Sequence, residues 1–103
     1  MREKQKLYLM QNSAQLSKIG IAINPIRRRR QLETASGLKI EIIRCWSPAE
    51  AASAYTIEQY LHSHFARRRL EGEWFTHISP KEVELAGYDL LECNHDGSPR
   101  REP

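Results

Sequence analysis

The stretch AYTIEQYLHSHFARRRLEGEWF, residues 54–75, decides how the rest of the chain is interpreted. A helix is predicted to begin before this stretch and to continue through its first half. Helical spacing puts the following side chains on one face of that helix: Ala51, Ala54, Tyr55, Glu58, Leu61, His62 and Phe65. This face is mostly apolar and is predicted to point inward. A carboxylate seldom faces inward unless it is paired or ligates a metal. Glu58 is therefore a candidate metal ligand, and an ion pair with an arginine is the alternative.

The length and composition predict one domain. The chain has 103 residues, of which 40% are hydrophobic and 28% charged, so a single domain is expected over residues 1–93 and a second is excluded. No apolar run approaches the roughly 20 residues that a membrane span needs, and no signal-peptide core follows the charged start. A cytoplasmic location without membrane contact is expected. Residues 94–103 contain no apolar anchor and are predicted to form a flexible tail.

The basic residues are bunched. The net charge is only +3, but arginines form one run at residues 27–30 and another at residues 67–69. A local positive patch attracts a polyanion even when distant acids cancel the total. Solvated surface is the simpler explanation of a single run, whereas two runs beside candidate sites favour nucleic acid. Cys45 and Cys93 lack metal-binding spacing and are predicted to be reduced thiols.

The first part of the chain predicts two strands and a helix. Residues 6–10 (KLYLM) and 17–23 (SKIGIAI) are short apolar segments that should pair antiparallel. Asn24 before Pro25 is a helix-start signal, because Asn caps a helix and Pro is tolerated at its first position. This helix is predicted to run to about Thr34, with Gly37 closing it.

Residues 38–46 (LKIEIIRCW) predict a half-buried strand. Leu38, Ile40 and Ile42 point to one side of it, and Lys39 and Glu41 to the other. After this strand, SPAE at residues 47–50 is a capping-box pattern that predicts the start of the longest helix.

The last part of the domain contains the same capping-box pattern. SPKE at residues 79–82 predicts a short helix ending near Gly87, and residues 88–91 predict a last extended piece. Trp74 and Phe75 are expected to close the core. The whole order predicts an α/β (α+β) fold, a small three-stranded antiparallel sheet flanked by helices. A parallel nucleotide-binding sheet is not expected, because no glycine-rich phosphate loop is present.

Five features in this order together resemble the GIY-YIG nuclease superfamily, and they cover roughly residues 7–75. They are Lys6-Leu7-Tyr8, Lys18-Ile19-Gly20, an arginine within Arg28-x-x-x-Leu32, Glu58 with His62, and Glu73-Trp74-Phe75. The chain is most similar to the phage and bacterial branch, which has a Lys-Ile-Gly second motif and closes with Glu-Trp-Phe. Two positions depart from the superfamily pattern: Lys18 replaces the second-motif tyrosine, and Lys6 replaces the first-motif glycine.

The resemblance implies a metal-dependent DNA endonuclease that uses Mg²⁺ or Mn²⁺. The first-motif tyrosine, which lies near the scissile phosphate in that superfamily, corresponds to Tyr8. The helix arginine that contacts the phosphate corresponds to Arg28, with the register open between Arg27 and Arg29. The metal-binding glutamate corresponds to Glu58.

The chemistry of these residues suits phosphodiester hydrolysis. One carboxylate can hold Mg²⁺ when waters and substrate phosphate fill the other positions, so Glu58 alone would be enough. The planar guanidinium of Arg28 suits two phosphate oxygens. A phenol beside a metal and an arginine could have a lowered pKa, which would make Tyr8 a base or a hydrogen-bond donor. Without the resemblance, Tyr8 would be interpreted as a core aromatic.

Two further positions carry open alternatives. Lys18 is favoured as an electrostatic clamp on phosphate, because acting as a base requires its pKa of about 10.4 to fall by several units. His62 either contacts the Glu58 carboxylate or the phosphate, or is a satisfied core histidine. The other arginines of the two runs are predicted to bind nucleic acid: Arg27, Arg29, Arg30, Arg67, Arg68 and Arg69.

Three functions therefore follow from the sequence. The first is a metal-dependent DNA endonuclease with little sequence specificity of its own, or with specificity supplied by a protein partner. The second is a module of the same fold that binds nucleic acid or a protein without cleaving, which the Lys18 replacement favours. The third is a small inhibitory or adaptor protein. A homo-oligomer stays open for each.

Overall fold

A computed structural model describes residues 4–49, 53–70, 72–87 and 90–91. Within them, the chain forms three strands and three α-helices with one 3₁₀ helix, so the predicted α+β class is confirmed. The strands are β1 (Lys6–Asn12), β2 (Ser17–Ala22) and β3 (Ile40–Trp46). The helices are α1 (Pro25–Ser36), α2 (Ala54–His64), the 3₁₀ helix (Ala66–Arg68) and α3 (Pro80–Ala86).

The sheet has the order β2-β1-β3, and both pairings are antiparallel. The central strand β1 is buried on both faces, because successive side chains of a strand point to opposite sides. Leu7 and Leu9 face one layer, and Tyr8 and Met10 face the other. This alternation separates the main core from the layer that holds the candidate site.

The main core lies between the sheet and the helices α2 and α3. Its buried residues come from all three strands, both helices and the segments that follow or connect them: Leu7, Leu9, Ile19, Trp46, Ile57, Leu61, Phe65, Phe75, Ile78, Val83 and Leu91. The second layer contains Tyr8, Met10 and Ile40, with Leu32 of α1 and Trp74 packed against them. Phe75 therefore closes the main core as predicted, whereas the half-buried Trp74 covers the opposite face.

The helix α1 is bounded as the sequence predicts. The Asn24 side chain accepts a hydrogen bond from the Arg27 N–H at 3.1 Å, and Pro25 is the first helical residue. Gly37 ends the helix in the left-handed region (φ 74°), where its N–H donates to the Glu33 carbonyl at 2.8 Å. The helix continues two residues beyond the predicted Thr34.

The strand β3 confirms the predicted sides of Ile40 and Ile42, which both pack in the second layer, but the alternation changes after them. Leu9 pairs with Arg44 and Met10 with Ile42, so the register shifts at an extra residue, Ile43. Ile42 packs against the second layer and Ile43 against the main core. Such a bulge shifts the alternation by one residue, so that Cys45 lies against the second layer and Trp46 in the main core. The strand also starts later than predicted, and Leu38 is 37% exposed and does not face the core.

The predicted start of α2 is wrong. Ser53 caps this helix by accepting a hydrogen bond from the Thr56 N–H at 3.1 Å. The earlier SPAE signal fails because Pro48 bridges Leu91 and the Ala49 N–H donates to the Leu90 carbonyl at 2.7 Å. These long-range contacts keep the chain extended there. With 11 residues, α2 is also shorter than α1, which has 12.

The later start changes the inward face of α2. Ala54, Ile57 and Leu61 are its buried residues, whereas Tyr55 is 62% exposed, contrary to prediction. Glu58 and His62 lie at the margin of this face and are half-buried. Phe65, the residue that ends the helix, is buried as predicted.

The helix α3 confirms its predicted capping box. The Ser79 hydroxyl accepts from the Glu82 N–H at 3.2 Å, and the Glu82 carboxylate accepts from the Ser79 N–H at 2.9 Å. Of the predicted last extended piece, Leu91 forms the bridge to Pro48. Residues 88–89, Ala51, Cys93 and the predicted tail 94–103 lie outside the described residues.

Two smaller predictions concern chemistry and location. Cys45 is a free thiol, as predicted, and burial raises its pKa. Across the described ranges, none of the helices has the length and apolar character needed to cross a membrane.

Candidate active site

The candidate site is built around Tyr8, in the middle of the central strand. Tyr8 lies directly opposite Gly20 of β2, and its ring packs over that residue. A Cβ atom added to Gly20 would lie 2.4 Å from the Tyr8 hydroxyl oxygen and 2.5 Å from its Cζ. The phenol therefore occupies space that only glycine leaves free. This contact is the physical reason for the glycine in the Lys-Ile-Gly motif.

Three charged side chains from other elements act on the Tyr8 hydroxyl. Burial is the largest effect and raises the pKa of Tyr8 above 10.0, and the charges of Glu58 and Glu73 raise it further. Hydrogen bonding and positive charge from Arg28 lower this pKa but do not outweigh burial. Arg28 thus acts in the predicted direction, but it is outweighed by burial, and lowering of the Tyr8 pKa by a bound metal stays a prediction. Tyr8 is a neutral phenol at neutral pH, which can donate a hydrogen bond.

Arg28 is the arginine that α1 brings to Tyr8. Its guanidinium is half-buried, and Nη1 donates to the Gln31 side chain at 3.3 Å. The neighbouring Arg29 lies 3.7 Å from Glu33, whose carboxylate also accepts the Ile40 N–H at 2.7 Å. The other two arginines of the run, Arg27 and Arg30, are exposed. Of the four, Arg28 is the one whose hydrogen bonding and charge act on Tyr8.

Glu58 reaches the site from α2. This helix packs on the main-core face of the sheet. It contacts mainly β2, which is an edge strand of the sheet. The ion pairs among the described residues are Lys18–Glu73, Arg29–Glu33 and Arg68–Glu82, and Glu58 is in none of them. Its recorded side-chain contact is a long hydrogen bond, 3.5 Å, from Gln59. Among the described residues, Glu58 therefore does not form the ion pair with an arginine that was the alternative.

Lys18 is held by a residue that the sequence did not single out as part of the site. Its side chain is 6% exposed, and Nζ lies 2.6 Å from Oε1 of Glu73 and 5.8 Å from the centre of the Trp74 ring. Hydrogen bonding and charge from Lys18 lower the pKa of Glu73, with smaller contributions from the charges of His62 and Arg28. A buried ammonium needs a counter-charge, which is the signal that could have identified Glu73.

His62 is fixed by contacts with the sheet and core. Its Nε2 lies 2.8 Å from the Ile19 carbonyl, and because a carbonyl only accepts, this nitrogen carries the hydrogen. The ring packs edge-on against Phe75 at 5.3 Å. These contacts match the core-histidine alternative. They leave Nδ1 as the ring nitrogen that is not committed to Ile19.

The arginines of the second run have different environments: Arg68 makes contacts within the fold, whereas Arg67 and Arg69 are exposed. Arg68 forms a bidentate contact with Glu82, donates to the His77 carbonyl and lies over the Phe65 ring at 5.5 Å. It therefore ties the 3₁₀ helix to α3. Arg69 donates from Nε to the Gly72 carbonyl at 3.1 Å but is exposed, as is Arg67.

The residues around Glu58 fit a divalent metal held by one carboxylate. No three His, Cys, Asp or Glu side chains group closely enough to hold a metal by themselves in the part of the chain that the structure describes. Mg²⁺ commonly binds through one or two carboxylates and keeps water and phosphate oxygens in its other positions. Glu58 is half-buried and its charge acts on Tyr8, so it could serve as that carboxylate.

Comparison with known proteins identifies the family. The model of the T5orf172 domain matches residues 5–86, most of the chain. The chain belongs to the T5orf172 domain family. Searches of curated proteins and of solved structures found no match. T5orf172 domains occur in phage-like homing and GIY-YIG-associated proteins, and the match indicates a nuclease-like or DNA-binding module.

The match to the T5orf172 domain spans the whole site. It includes β1 with Tyr8, β2 with Lys18 and Gly20, and α1 and α2 with Arg28 and Glu58. The family therefore covers the elements that converge on the Tyr8 hydroxyl.

Proposed function

We propose that this T5orf172 domain is a metal-dependent endonuclease of the GIY-YIG type that hydrolyses phosphodiester bonds of DNA, with Mg²⁺ or Mn²⁺ as cofactor. The observation that carries the proposal is the convergence on one phenol of a cation from α1 and a carboxylate from α2. Arg28 and Glu58 both change the pKa of Tyr8. A structural tyrosine needs neither neighbour, whereas phosphodiester hydrolysis needs both charges close to the scissile phosphate.

Each residue has a distinct role in this proposal. Glu58 holds the divalent ion, which when bound would polarise the phosphate and lower the pKa of a bound water. Arg28 binds two non-bridging oxygens and neutralises charge that develops on them. Tyr8, neutral and packed over Gly20, donates a hydrogen bond to the phosphate or orients the attacking water.

Lys18 contributes positive charge from beneath the site. Its Nζ is already bonded to Glu73 at 2.6 Å and is almost fully buried. To clamp a phosphate directly, it would have to exchange this carboxylate for a phosphate oxygen. Glu73 is 65% exposed, so it can swing away from the site at little packing cost.

Nicking of supercoiled plasmid DNA tests the proposal. The purified protein is expected to nick the plasmid with Mg²⁺ or Mn²⁺ and to lose this activity with a chelator. Glu58→Gln should reduce the rate by at least about 100-fold, since one preorganised electrostatic contact contributes that much or more. Glu41→Gln is the matched control, because Glu41 is an exposed carboxylate on β3 outside the site. Equal nicking by Glu58→Gln and wild type would remove Glu58 from the mechanism.

One observation favours a second candidate, a module that binds nucleic acid without cutting it. Lys18 stands where the superfamily has a tyrosine, and its Nζ is engaged by Glu73. Binding that weakens steeply with salt, without cleavage under any divalent metal, would select this function. In that case, Arg28→Gln would weaken binding while Glu58→Gln would not, because removing an acid from a polyanion site does not reduce affinity.

A further inference from the structure

A groove separate from the Tyr8 site lies between the end of α2, the 3₁₀ helix and α3. Its volume is about 480 Å³, within the range of small-molecule sites. The residues that matter for its chemistry are His64, Phe65, Arg67 and Leu85, with the Arg68–Glu82 ion pair at its side.

The lining of this groove is mostly apolar and includes an aromatic ring. The His64 ring lies 6.1 Å from the Tyr60 ring in a stacked arrangement and 4.8 Å from Phe65 in an edge arrangement. Leu85, which also lines the groove, is 61% exposed, although it belongs to a short helix whose buried residue is Val83. A flat ligand inserted here would cover an imidazole face and a leucine that water otherwise contacts.

The charge of the groove is positive. Its one carboxylate, Glu82, is held by Arg68 and by the Ser79 N–H, so it is neutralised in place. Arg67 is exposed and is in none of the ion pairs among residues that the structure describes. One exposed cation beside an apolar slot is complementary to a flat apolar ring that carries an anion.

We propose that this groove binds one unpaired nucleotide of a single-stranded nucleic acid, with the base between His64 and Leu85 and its phosphate on Arg67. A base in a duplex is covered on both faces by its neighbours, so the groove selects strands whose bases are free to leave the stack. The site lies beyond the proposed catalytic centre and binds without any metal.

Fluorescence anisotropy of a labelled single-stranded oligonucleotide of mixed sequence tests the inference on the full chain without divalent metal. Leu85→Asn, which adds no charge to the groove, should weaken binding about tenfold, the size expected for losing one stacked base. Arg67→Gln should weaken it and lower the slope of log affinity against log salt by about 0.7. Both side chains are exposed, so the variants should fold as wild type does. Tyr55→Ala and Lys39→Gln are matched controls, an exposed tyrosine and an exposed lysine away from the groove, and should bind normally.

An abasic strand of the same length separates base contact from charge. Wild type should bind it about as weakly as Leu85→Asn binds the normal strand, and Leu85→Asn, which adds no charge, should not weaken it further. The proposal is overturned if the groove variants bind like wild type, if the controls weaken as much as they do, or if an acidic peptide competes as well as the single strand. Plasmid nicking by Leu85→Asn distinguishes this failure from that of the nuclease, since the groove variants leave the Tyr8 site intact.

Discussion

Gly20 shows how one missing side chain shapes the candidate site. Its position opposite Tyr8 leaves no room for a Cβ, because that atom would lie 2.4 Å from the phenol oxygen. The requirement is one of space, since the positive φ angles among the described glycines are those of Gly37 and Gly72. The Tyr8 ring thereby packs over Gly20, where Arg28, Glu58 and Glu73 act on its hydroxyl.

Gly20→Ala should destabilise the fold by about 1–3 kcal/mol, the usual cost of overpacking, and should displace the Tyr8 ring. Urea unfolding measures the change in free energy. In a Tyr8→Ala background, the added methyl meets no ring, so the penalty should largely disappear. An equal penalty in both backgrounds would contradict the close contact.

The Lys18–Glu73 pair predicts an asymmetry between its two members. Glu73→Ala leaves a buried ammonium without its counter-charge, and we expect a cost of about 1–3 kcal/mol, below that of a fully buried pair because Glu73 is 65% exposed. Lys18→Met removes the buried charge itself and should cost less. Urea unfolding of the two variants at neutral pH measures both. A larger loss in Lys18→Met would mean that the ammonium is stabilised by something other than Glu73.

At the scale of elements, helix starts were predictable where the signal is local. Asn24-Pro25 and the capping box at Ser79 both lie within a few residues of the helix that they open, and both were predicted correctly. The SPAE signal satisfies the same local rule, but contacts of Pro48 and Ala49 with residues about forty positions later override it. A sequence pattern of a few residues cannot reveal contacts with residues so far along the chain.

The two serines before α2 can be compared directly. Ser53→Ala should reduce the free energy of unfolding by about 1 kcal/mol, because the Ser53 hydroxyl caps the helix. Ser47→Ala, at the start of the misleading signal, should change it much less. Thermal or urea unfolding of both variants provides the comparison. A larger effect at Ser47 would place the helix start where the sequence alone suggested.

The Arg68–Glu82 pair makes the attachment of α3 dependent on pH. The pKa of Glu82 is lowered from 4.5 to about 2, first by the hydrogen bond from Arg68 and then by the Ser79 backbone. A lowered pKa stabilises the fold above about pH 4.5, and this stabilisation is lost as the pH falls through about 2. Both side chains are more than a third exposed or close to it, so the contribution is at most about 1 kcal/mol.

Glu82→Gln isolates this dependence, since glutamine can still complete the capping box. Wild type should be more stable than Glu82→Gln near neutral pH, and the difference should vanish near pH 2. Urea midpoints at the two pH values measure it. A difference that persists at the acidic end would assign the effect to packing of the side chain and not to its charge.

At the scale of the whole molecule, the two faces of the sheet have different roles. One face packs the main core through Leu7 and Leu9, and the other presents Tyr8 beneath α1. The alternation of β1 made the strand predictable, and the resemblance to the GIY-YIG superfamily indicated Tyr8, Arg28 and Glu58. The tertiary contacts that bring these three residues together could not be predicted from the strand and helix patterns.

Two features of the site depend on residues far apart in the sequence. The Lys18–Glu73 contact joins positions 55 residues apart, and the fit of Tyr8 over Gly20 depends on the register of β1 and β2. Periodicity shows which residues face inward but not which of them meet. Burial of Tyr8, which raises its pKa, likewise follows from packing by α1 and Trp74 and not from neighbours along the chain.

The central claim is that Glu58 holds a divalent metal beside Tyr8 and Arg28. The most direct measurement is anomalous scattering from crystals of the protein soaked with Mn²⁺. The account predicts an anomalous peak at coordination distance from the Glu58 carboxylate, on the side of the Tyr8 hydroxyl, and its loss in Glu58→Gln. A soaked crystal without such a peak, in which Glu58 instead forms an ion pair with an arginine, would contradict the account.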